Sequence, residues 1–193
     1  MFISIIIPCF NEEKTLEKLI DKILEQKGFK KKIIIVDDYS SDGSISILKK
    51  IYKENKVDEV IFHKKNLGKG ACIKSAQHFV EGDYVIIQDA DLEYDPSDYK
   101  FLIEKISNEN LKVVYGSRVL KSQNNQKIKN FSHKIRIYGN YFLTKISNLI
   151  NKQKLTDAHT CYKMFETNLF KSIKLEEDDF SFCPEITTKI SLL

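Results

Sequence analysis

Cysteine is rare in this sequence and is not arranged for metal binding. Four cysteines occur among 193 residues, and they form neither a C-x-x-C pair nor a cysteine–histidine spacing that suits zinc. We therefore expect reduced thiols and a cytosolic compartment. The four histidines also lack the spacing of a metal cage or of a nucleophile–base pair, so the sequence assigns them no role.

Long apolar runs are missing as well. No run approaches the roughly 20 residues that a helix needs to cross a bilayer. The amino-terminal apolar stretch leads directly into Pro8 and lacks a cleavable signal pattern. We expect a protein that is neither exported nor integral to a membrane.

Proline and glycine are too few to form a linker between domains. The chain has three prolines and seven glycines, and it contains no internal repeat or low-complexity tract. Its length suits one domain with a substantial core, and 42% hydrophobic with 30% charged residues is an ordinary globular composition. The net charge of +4 does not indicate a nucleic-acid partner. We expect a single domain over residues 1–193.

The sequence does contain two alternating patterns. Short β-branched runs predict buried strands at Ile3–Ile7, Lys32–Val36, Glu59–Phe62, Tyr84–Gln88 and Lys112–Tyr115. Apolar residues at three- and four-residue steps predict helices at Glu12–Gln26, Asp42–Glu54, Lys69–Val80 and Pro96–Ile106. This order predicts the α/β class, with a mostly parallel sheet covered by helices on both faces.

The alternation stops after about Leu120. The pattern then predicts one long amphipathic helix over Asn130–Asn151, a short strand over Cys161–Phe165 and a terminal helix from about Glu185. We interpret the apolar face of the long helix as packing within the core or in a homodimer, in preference to membrane contact.

Polar residues gather where the predicted strands end. Ligands of such sheets bind beyond the carboxyl ends of the strands. Those ends carry Pro8–Glu12, Asp37–Gly43, Asp89–Asp91 and Gly116–Arg118. We expect these four segments to converge on one cleft.

Asp89 and Asp91 are candidates for a metal site. They stand two residues apart after an apolar strand, so both carboxylates could approach one hard cation. Carboxylate oxygens suit Mg²⁺ or Mn²⁺, and such an ion neutralises charge on a departing diphosphate. Taken alone, the same pair fits a solvated turn equally well.

Three further features suit a phosphorylated ligand. One of Asp37 and Asp38 could accept hydrogen bonds from a base edge or a ribose, although capping explains the same residues. The glycines of Asn66–Gly70 would let backbone amides approach an anion, with Lys69 adding charge. Arg118 could pair with a diphosphate through its planar guanidinium. The spacing of a Walker A loop is missing, which disfavours a P-loop ATPase.

In this order the motifs resemble glycosyltransferase family 2. The set comprises Ile5–Glu12, Val36–Gly43, Asn66–Gly70, Gln88–Asp91 and Gly116–Arg118. Within the family the chain looks most like the dolichyl- or polyprenyl-phosphate sugar transferases, through Asp89–Pro96 and Thr156–Lys163. The resemblance implies a Rossmann-like GT-A fold, a UDP- or GDP-linked sugar as donor, and Mg²⁺ or Mn²⁺ as cofactor.

The resemblance also implies roles for individual residues. The implied nucleotide-sugar contacts are Pro8, Phe10, Glu12, Val36, Asp38, Lys69, Asp89 and Ala90. Asp91 and Glu93 would hold the metal, with Asp89 beside them. The implied catalytic residues are Asp91, Arg118 and Asp157. Phe10 replaces the tyrosine usual at that position, which keeps ring stacking and loses a hydroxyl.

The acceptor decides whether a base is needed. A sugar hydroxyl must lose its proton, so Asp157 would act as general base, whereas a lipid phosphate is already largely ionised. The segment Lys121–Arg136 is basic and contains no acidic residue, which suits a lipid phosphate or an anionic membrane surface and also a solvated loop. We predict inverting transfer to a polyprenyl or dolichyl phosphate by a protein that is cytoplasmic or peripheral at the inner face of the membrane.

Related transferases continue beyond the segment that matches Phe182–Thr187, with basic residues that close over the diphosphate. This chain stops at Leu193, so we expect a truncated or naturally shortened form. Its nucleotide-sugar-binding half would be residues 1–120 and its acceptor-side half residues 121–193. Two alternatives stay open: a transferase that extends a cell-surface saccharide, and a sugar-nucleotide-binding module with little activity.

Overall fold

The computed structural model describes residues 1–119 and 131–193, and of residues 131–138 it describes the backbone alone. Within these residues six strands form one sheet. They are β1 (Phe2–Cys9), β2 (Lys30–Asp37), β3 (Glu59–Phe62), β4 (Tyr84–Ile87), β5 (Val113–Tyr115) and β6 (Lys163–Glu166). Each run that the sequence predicts as a strand therefore contributes to the sheet, with bounds shifted by up to two residues.

The strands lie in the order β3-β2-β1-β4-β6-β5. β1 pairs in parallel with β2 and with β4, and β2 pairs in parallel with β3. β6 lies between β4 and β5 and is antiparallel to both. β4 and β5 consequently run in the same direction, and their carboxyl ends lie on the same edge of the sheet as those of β1 and β2.

The described α-helices follow the predicted alternation. They are α1 (Leu16–Glu25), α2 (Ser44–Lys53), α3 (Lys69–Gln77), α4 (Tyr99–Asn108), α5 (Phe131–Asn151), α6 (Thr167–Ser172) and α7 (Phe182–Ser191), with a 3-10 turn at Pro96–Asp98 before α4. The sequence pattern did not predict α6. It placed the start of α1 at Glu12, four residues before the observed helix.

Helices cover both faces of the sheet, as predicted. Ile3, Ile5 and Ile7 of β1 face one cluster, which includes buried residues of α1, α2 and α4. Ile6 faces a second cluster, which includes residues of α3, α6 and α7. Because both faces are buried, Ile5, Ile6 and Ile7 are consecutive apolar residues instead of an alternating pattern, and the buried Ser4 of the same strand donates to the carbonyl of Glu81 (2.7 Å). The fold class is the predicted α/β class.

The apolar face of α5 is open in the folded chain. Phe142, Leu149 and Ile150 are 65%, 81% and 69% exposed. The prediction that this face packs in the core is therefore wrong for these residues, and packing in a homodimer stays a prediction. The basic residues of Lys121–Arg136 lie outside the described side chains, so the structure adds nothing about them.

The cysteines and the lengths of the helices bear on two further expectations from the sequence. All four cysteines are free, in agreement with the predicted thiols. Among residues 1–119 and 131–193, no helix combines the length and apolar character that a membrane span requires.

Candidate functional site

The carboxyl ends of β1 and β2 are joined by hydrogen bonds between their loops. Asn11 donates its backbone N–H to Ser40 Oγ (2.9 Å), and its side-chain Oδ1 accepts from the N–H of Ser41 (2.8 Å). The N–H of Asp38 donates to the carbonyl of Cys9 (2.8 Å). These bonds bring two of the predicted strand-end segments together at one edge of the sheet.

Three strand-end loops each hold a non-glycine residue in the left-handed backbone region. Asn11 follows β1, Tyr39 follows β2 and Leu92 follows β4, with φ values of 57°, 67° and 63°. This conformation costs a non-glycine residue about 1–2 kcal/mol. Such strain clusters at ligand sites, where the loop shape serves binding. The other three described residues of this kind, Asn55, Asn110 and Lys152, lie just after helices α2, α4 and α5, so among loops that follow strands this conformation occurs at the edge that carries the candidate ligand segments.

The turn after β4 presents two carboxylates to solvent. Asp91 Oδ1 accepts the backbone N–H of Glu93 (2.9 Å), and both side chains are exposed. Asp89 is instead largely buried and forms an ion pair with Lys69. Exposed carboxylate oxygens match the ligand preference of Mg²⁺ and Mn²⁺. Asp91 and Glu93 offer oxygen atoms of this kind, and their implied metal role stays a prediction, whereas Asp89 already has a cationic partner.

Lys69 and Asp89 form a largely buried pair behind this turn. Burial alone would lower the pKa of Lys69, but the charge of Asp89 raises that pKa above its usual value. Lys69 therefore remains protonated, and its charge is already balanced. Its predicted contact with the nucleotide sugar stays a prediction.

The glycine loop before α3 does not form the anion cradle that the sequence suggested. A Cβ on Gly70 would lie 2.3 Å from the carbonyl oxygen of Glu177, and a Cβ on Gly68 would lie 2.5 Å from that of Asp178. The N–H of Ala71 donates to the same Asp178 oxygen (3.0 Å). The glycines serve the close approach of residues 177–179, which occupy the start of α3.

Replacement of Gly70 by Ala is expected to destabilise the protein. The added methyl group must displace the backbone around Glu177, because the gap of 2.3 Å is far below van der Waals contact. Overpacking of this kind costs typically about 1–3 kcal/mol. Urea unfolding should show a lower midpoint, whereas Gly139→Ala on α5, where a Cβ meets nothing within 4 Å, serves as the control. Equal stability of the Gly70 variant and the parent would contradict the packing described.

Asp38 organises the loop that leads to α3. Its Oδ1 accepts the N–H of Leu67 (2.9 Å) and lies 2.7 Å from His63 Nδ1, and its Oδ2 accepts the N–H of Gly68 (2.8 Å). His63 Nε2 in turn lies 2.9 Å from Ser75 Oγ. Three of the roughly four acceptor positions of the carboxylate are thus filled, which leaves one for the predicted nucleotide contact.

Among the described residues, Asp38, His63 and Cys72 form the one group of three or more histidine, cysteine or acidic side chains whose ligand atoms lie close enough to hold a metal ion. Their oxygen, nitrogen and sulfur atoms do not suit Mg²⁺ or Mn²⁺. Burial raises the pKa of the Cys72 thiol, so the sulfur stays protonated. We interpret the group as a hydrogen-bonded cluster that fixes the loop. The sequence gave His63 no role, and its role here is structural.

Asp37, next along the chain, has an unsatisfied oxygen. Its Oδ2 accepts the N–H of Ser40 (3.1 Å), but its Oδ1 is buried and has no hydrogen-bond partner among the residues that the structure describes. A buried acceptor without a partner costs about 1–3 kcal/mol. The residues alone left open which of Asp37 and Asp38 faces a ligand, and the resemblance named Asp38. The unsatisfied oxygen makes Asp37 a second candidate, and the contact of Asp38 stays a prediction.

The other residues of the implied nucleotide pocket differ in accessibility. Phe10 is 48% exposed, so its ring is open for stacking on a base. Pro8 and Glu12 are partly exposed. The side chains of Val36 and Ala90 are buried, so only their backbone can line a pocket.

Arg118, just after β5, is held by Asp157. Its Nε donates to Asp157 Oδ2 (2.8 Å), its Nη2 donates to Oδ1 (3.1 Å), and its backbone N–H donates to Oδ2 (3.3 Å). Its Nη1 lies 3.7 Å from Glu93 Oε1. The guanidinium thus connects a buried carboxylate to a carboxylate of the candidate metal site.

Asp157 is 1% exposed and also accepts a hydrogen bond from Asn140 Nδ2 (3.0 Å). Burial would raise the pKa of Asp157, but the hydrogen bonds and charge of Arg118, together with the bond from Asn140, hold that pKa below its usual range. A carboxylate with four donors and a lowered pKa is a poor proton acceptor. The geometry gives Asp157 a binding role toward Arg118 more readily than that of a base.

Comparison with known proteins identifies similar chains. The model of the family described as "Glycosyl transferase family 2" matches residues 4–174. A dolichyl-phosphate beta-glucosyltransferase of Trichomonas vaginalis is 27% identical over 200 residues, which cover 96% of this chain and 60% of that protein. A UDP-N-acetylglucosamine–dolichyl-phosphate N-acetylglucosaminyltransferase of Methanococcus voltae is 29% identical, covering 95% of this chain and 77% of that protein.

Solved structures with the same fold include two that were determined with a sugar nucleotide. The TarS protein of S. aureus in complex with UDP-GlcNAc superposes with a TM-score of 0.61 at 20% identity, covering 99% of this chain and 54% of that one. A mannosyltransferase of Pyrobaculum calidifontis in complex with GDP-Man and Mn²⁺ gives a TM-score of 0.59 at 17% identity, covering 93% of this chain and 50% of that one. These matches confirm the GT-A type of fold.

The chain spans 60% of the length of the Trichomonas relatives that it matches. The shared part includes every strand-end segment described above.

Proposed function

Because the chain belongs to glycosyltransferase family 2, we propose that it transfers a sugar from UDP or GDP to a polyprenyl or dolichyl phosphate, with inversion at the anomeric carbon. The observation that carries the proposal is the fully bonded, buried Asp157 that holds Arg118 beside Glu93. This arrangement would place a guanidinium beside the diphosphate, and it makes Asp157 a poor base for an acceptor hydroxyl.

The donor side of the reaction rests on the turn after β4. Asp91 and Glu93 would hold Mg²⁺ or Mn²⁺, which neutralises the charge that develops on the departing diphosphate. Arg118 adds a second positive charge at the same place, because its Nη1 faces Glu93 at 3.7 Å. Fixed charges of this kind stabilise a transition state without rearrangement during the reaction.

The acceptor side follows from the state of Asp157. An acceptor hydroxyl needs a base, whereas a phosphate monoester with a second pKa near 6 is already largely ionised at neutral pH. Its oxygen forms a bond to the anomeric carbon while the bond from that carbon to the diphosphate breaks, and the diphosphate leaves with the electron pair. No proton transfer to the protein is required.

Two relatives support this choice of acceptor and donor. The Trichomonas and Methanococcus proteins are named as transferases of dolichyl phosphate, and the solved neighbours were determined with UDP-GlcNAc or with GDP-Man and Mn²⁺. A lipid acceptor would require the protein to work at a membrane surface.

The test of the proposal is transfer into the organic phase. The purified chain is incubated with Mn²⁺, a polyprenyl phosphate in detergent and a UDP- or GDP-sugar labelled in the sugar. We expect label to appear in the lipid extract only when the metal and the lipid phosphate are both present. Label that appears only in aqueous products would contradict the lipid acceptor, and transfer to an added saccharide would favour the alternative in which the acceptor is a sugar.

Replacement of Asp37 by Asn is expected to weaken nucleotide binding about 10- to 100-fold, which corresponds to the 1–3 kcal/mol of an unsatisfied buried group. The amide oxygen at position 37 can still accept the N–H of Ser40. Its NH₂ group then places a hydrogen-bond donor where Oδ1 of Asp37 was an acceptor. Calorimetry with UDP or GDP and Mn²⁺ measures the change. Asp58→Asn, which makes the same substitution at a residue bonded to the N–H of Ile33 (2.7 Å), is the control. An unchanged dissociation constant would show that Asp37 does not face the nucleotide.

A further inference from the structure

Three polar side chains of α5 lie in one line and contact one loop. Asn140, Thr144 and Asn148 are spaced four residues apart, so they share one face of the helix. Thr144 Oγ1 accepts the N–H of Ala158 (3.2 Å). Asn148 Nδ2 donates to the carbonyl of Leu155 (2.8 Å), and its Oδ1 accepts the N–H of the same residue (2.9 Å). Each turn of the helix therefore makes a side-chain hydrogen bond to the loop that carries Asp157.

Asn140 differs from the other two because its partner is a charged side chain. It donates to Asp157 Oδ1 at 3.0 Å, whereas Thr144 and Asn148 bond to backbone groups. Asp157 Oδ1 also accepts from Arg118 Nη2 (3.1 Å). The amide of Asn140 thus completes the donors of the carboxylate that orients Arg118.

We propose that Asn140 is a positioning residue for sugar transfer, which holds Asp157 in the orientation that directs Arg118 toward Glu93 and the diphosphate. This inference rests on the proposed function. It assigns to α5 a part in the donor site, although the helix lies on the side of the chain that the sequence assigned to the acceptor. The consequence is that loss of the amide donor lowers turnover without loss of the fold.

The substitution Asn140→Asp tests this role because its donor capacity depends on pH. A protonated carboxyl group at position 140 can donate a hydrogen bond to Asp157 as the amide of Asn140 does. An ionised carboxylate at the same place cannot donate, and it repels the carboxylate of Asp157. Two carboxyl groups that share a site have one strongly raised pKa. The hydrogen bond is therefore present at low pH and is lost as the pH rises through that raised pKa.

Among the side chains that the structure describes, other charged groups near Asp157 are common to the parent and the variant. They are Arg118 after β5, His159 on the same loop and Lys163 on β6, while Glu93 on the turn after β4 faces Arg118. Their titration, and that of the phosphate acceptor, cancels when the kcat of the variant is divided by that of the parent at each pH. The ratio then reports the new carboxyl pair.

We expect the ratio of kcat values to fall at least about tenfold between pH 5.5 and pH 8, with the KM for the donor changed much less, because a positioning effect acts on the transition state. Asn148→Asp is the matched control on the same helix and loop. Asn148 bonds to the backbone of Leu155 and not to a carboxylate. The kcat of Asn148→Asp divided by that of the parent should therefore not fall with pH in the same way. Thermal melts at each pH show that both variants are folded. A ratio for Asn140→Asp that is flat, or that matches the control, overturns the proposal.

Failure of the proposed function is seen separately. If the parent chain transfers no sugar to lipid phosphate, the same comparison is made on the dissociation constants of UDP and GDP with Mn²⁺. Free UDP and GDP carry the extra negative charge that develops on the leaving diphosphate and that the intact donor lacks, so the Asn140 role then predicts binding of these nucleotides that weakens as the pH rises in the Asn140→Asp variant alone. Binding without that dependence overturns it. If the parent binds neither nucleotide, both proposals are wrong.

Discussion

Replacement of Asp91 by Asn is expected to lower kcat for sugar transfer by at least about 10³-fold while the protein stays folded. A bound divalent ion contributes several kcal/mol of charge stabilisation in the transition state, and each 1.36 kcal/mol corresponds to a factor of ten in rate. Asp91 is exposed, and its described hydrogen bond is to the N–H of Glu93 two residues away. An amide oxygen can still accept that bond, so the turn should keep its shape.

The measurement compares kcat and the Mn²⁺ dependence of nucleotide binding in Asp91→Asn, Glu93→Gln and Glu104→Gln. Glu104 is exposed on α4 and loses the same charge at a distance from the turn. We expect Mn²⁺ to tighten UDP or GDP binding in the parent and in Glu104→Gln, and to have little effect on that binding in Asp91→Asn and Glu93→Gln. Wild-type rates in Asp91→Asn would remove that residue from the metal site and with it the basis of the proposed chemistry.

Much of the parallel part of the sheet could be predicted from the sequence because its cause is local. Strands buried on both faces are near-continuous apolar runs, and Ile5–Ile7 and Ile33–Val36 show this directly. The alternation of these runs with amphipathic helices then leaves few possible arrangements. The strand-end motifs follow from the same reasoning, since ligands bind at the carboxyl ends.

The second half of the fold could not be predicted in this way. β6 lies between β4 and β5, although it begins 48 positions after the end of β5 in the chain, and its antiparallel pairing depends on a long connection. The sequence predicted core or homodimer packing for the apolar face of α5, and the core alternative was wrong for Phe142, Leu149 and Ile150, because periodicity shows that a face is apolar and not what covers it. Gly68 and Gly70 were misread for a similar reason, since only the folded chain brings residues 177–179 against them.

The residues of the candidate site were also only partly predictable from the sequence. The strand-end motifs indicated Asp91 and Arg118, and the family resemblance added Glu93. The motifs could not show that Asp157 is already bonded, since its partners Arg118 and Asn140 lie 39 and 17 positions away. Asn140 had a signal of its own, namely polar residues every fourth position on α5, but that pattern becomes informative only once its partner loop is known.

Replacement of Arg118 by Ala is expected to lower kcat about 10²- to 10³-fold, the usual effect of removing one fixed donor from a site where charge develops. Lys at this position keeps the charge but cannot make the paired contacts of a guanidinium with Asp157, so we expect an intermediate rate. Steady-state kinetics of both variants with the lipid acceptor measure the order. A rate for Arg118→Lys equal to that of Arg118→Ala would show that geometry, and not charge alone, is needed.

Replacement of Arg118 by Ala should also change how the free energy of unfolding depends on pH. In the parent, the pKa of Asp157 is held below its usual value, so its ion pair stabilises the fold above the unfolded pKa of about 3.9 and this contribution is lost as the pH falls through the lower folded value. Without Arg118, burial dominates and raises the pKa of Asp157, so an ionised carboxylate is left in the interior above that raised value.

We therefore expect Arg118→Ala to be less stable than the parent by about 1–3 kcal/mol at pH 7, a figure below that of a fully buried pair because Arg118 is partly exposed. The difference should shrink as the pH falls toward 4, since protonation removes the unpaired charge from the variant, whereas the parent keeps its ion pair until the pH falls through its lower folded pKa. Urea titrations of both proteins at pH 7, 5.5 and 4 measure this. A difference that is constant across this range would mean that Arg118 stabilises the fold by packing alone, and Asp157 would then be free to serve as the base that a sugar acceptor requires.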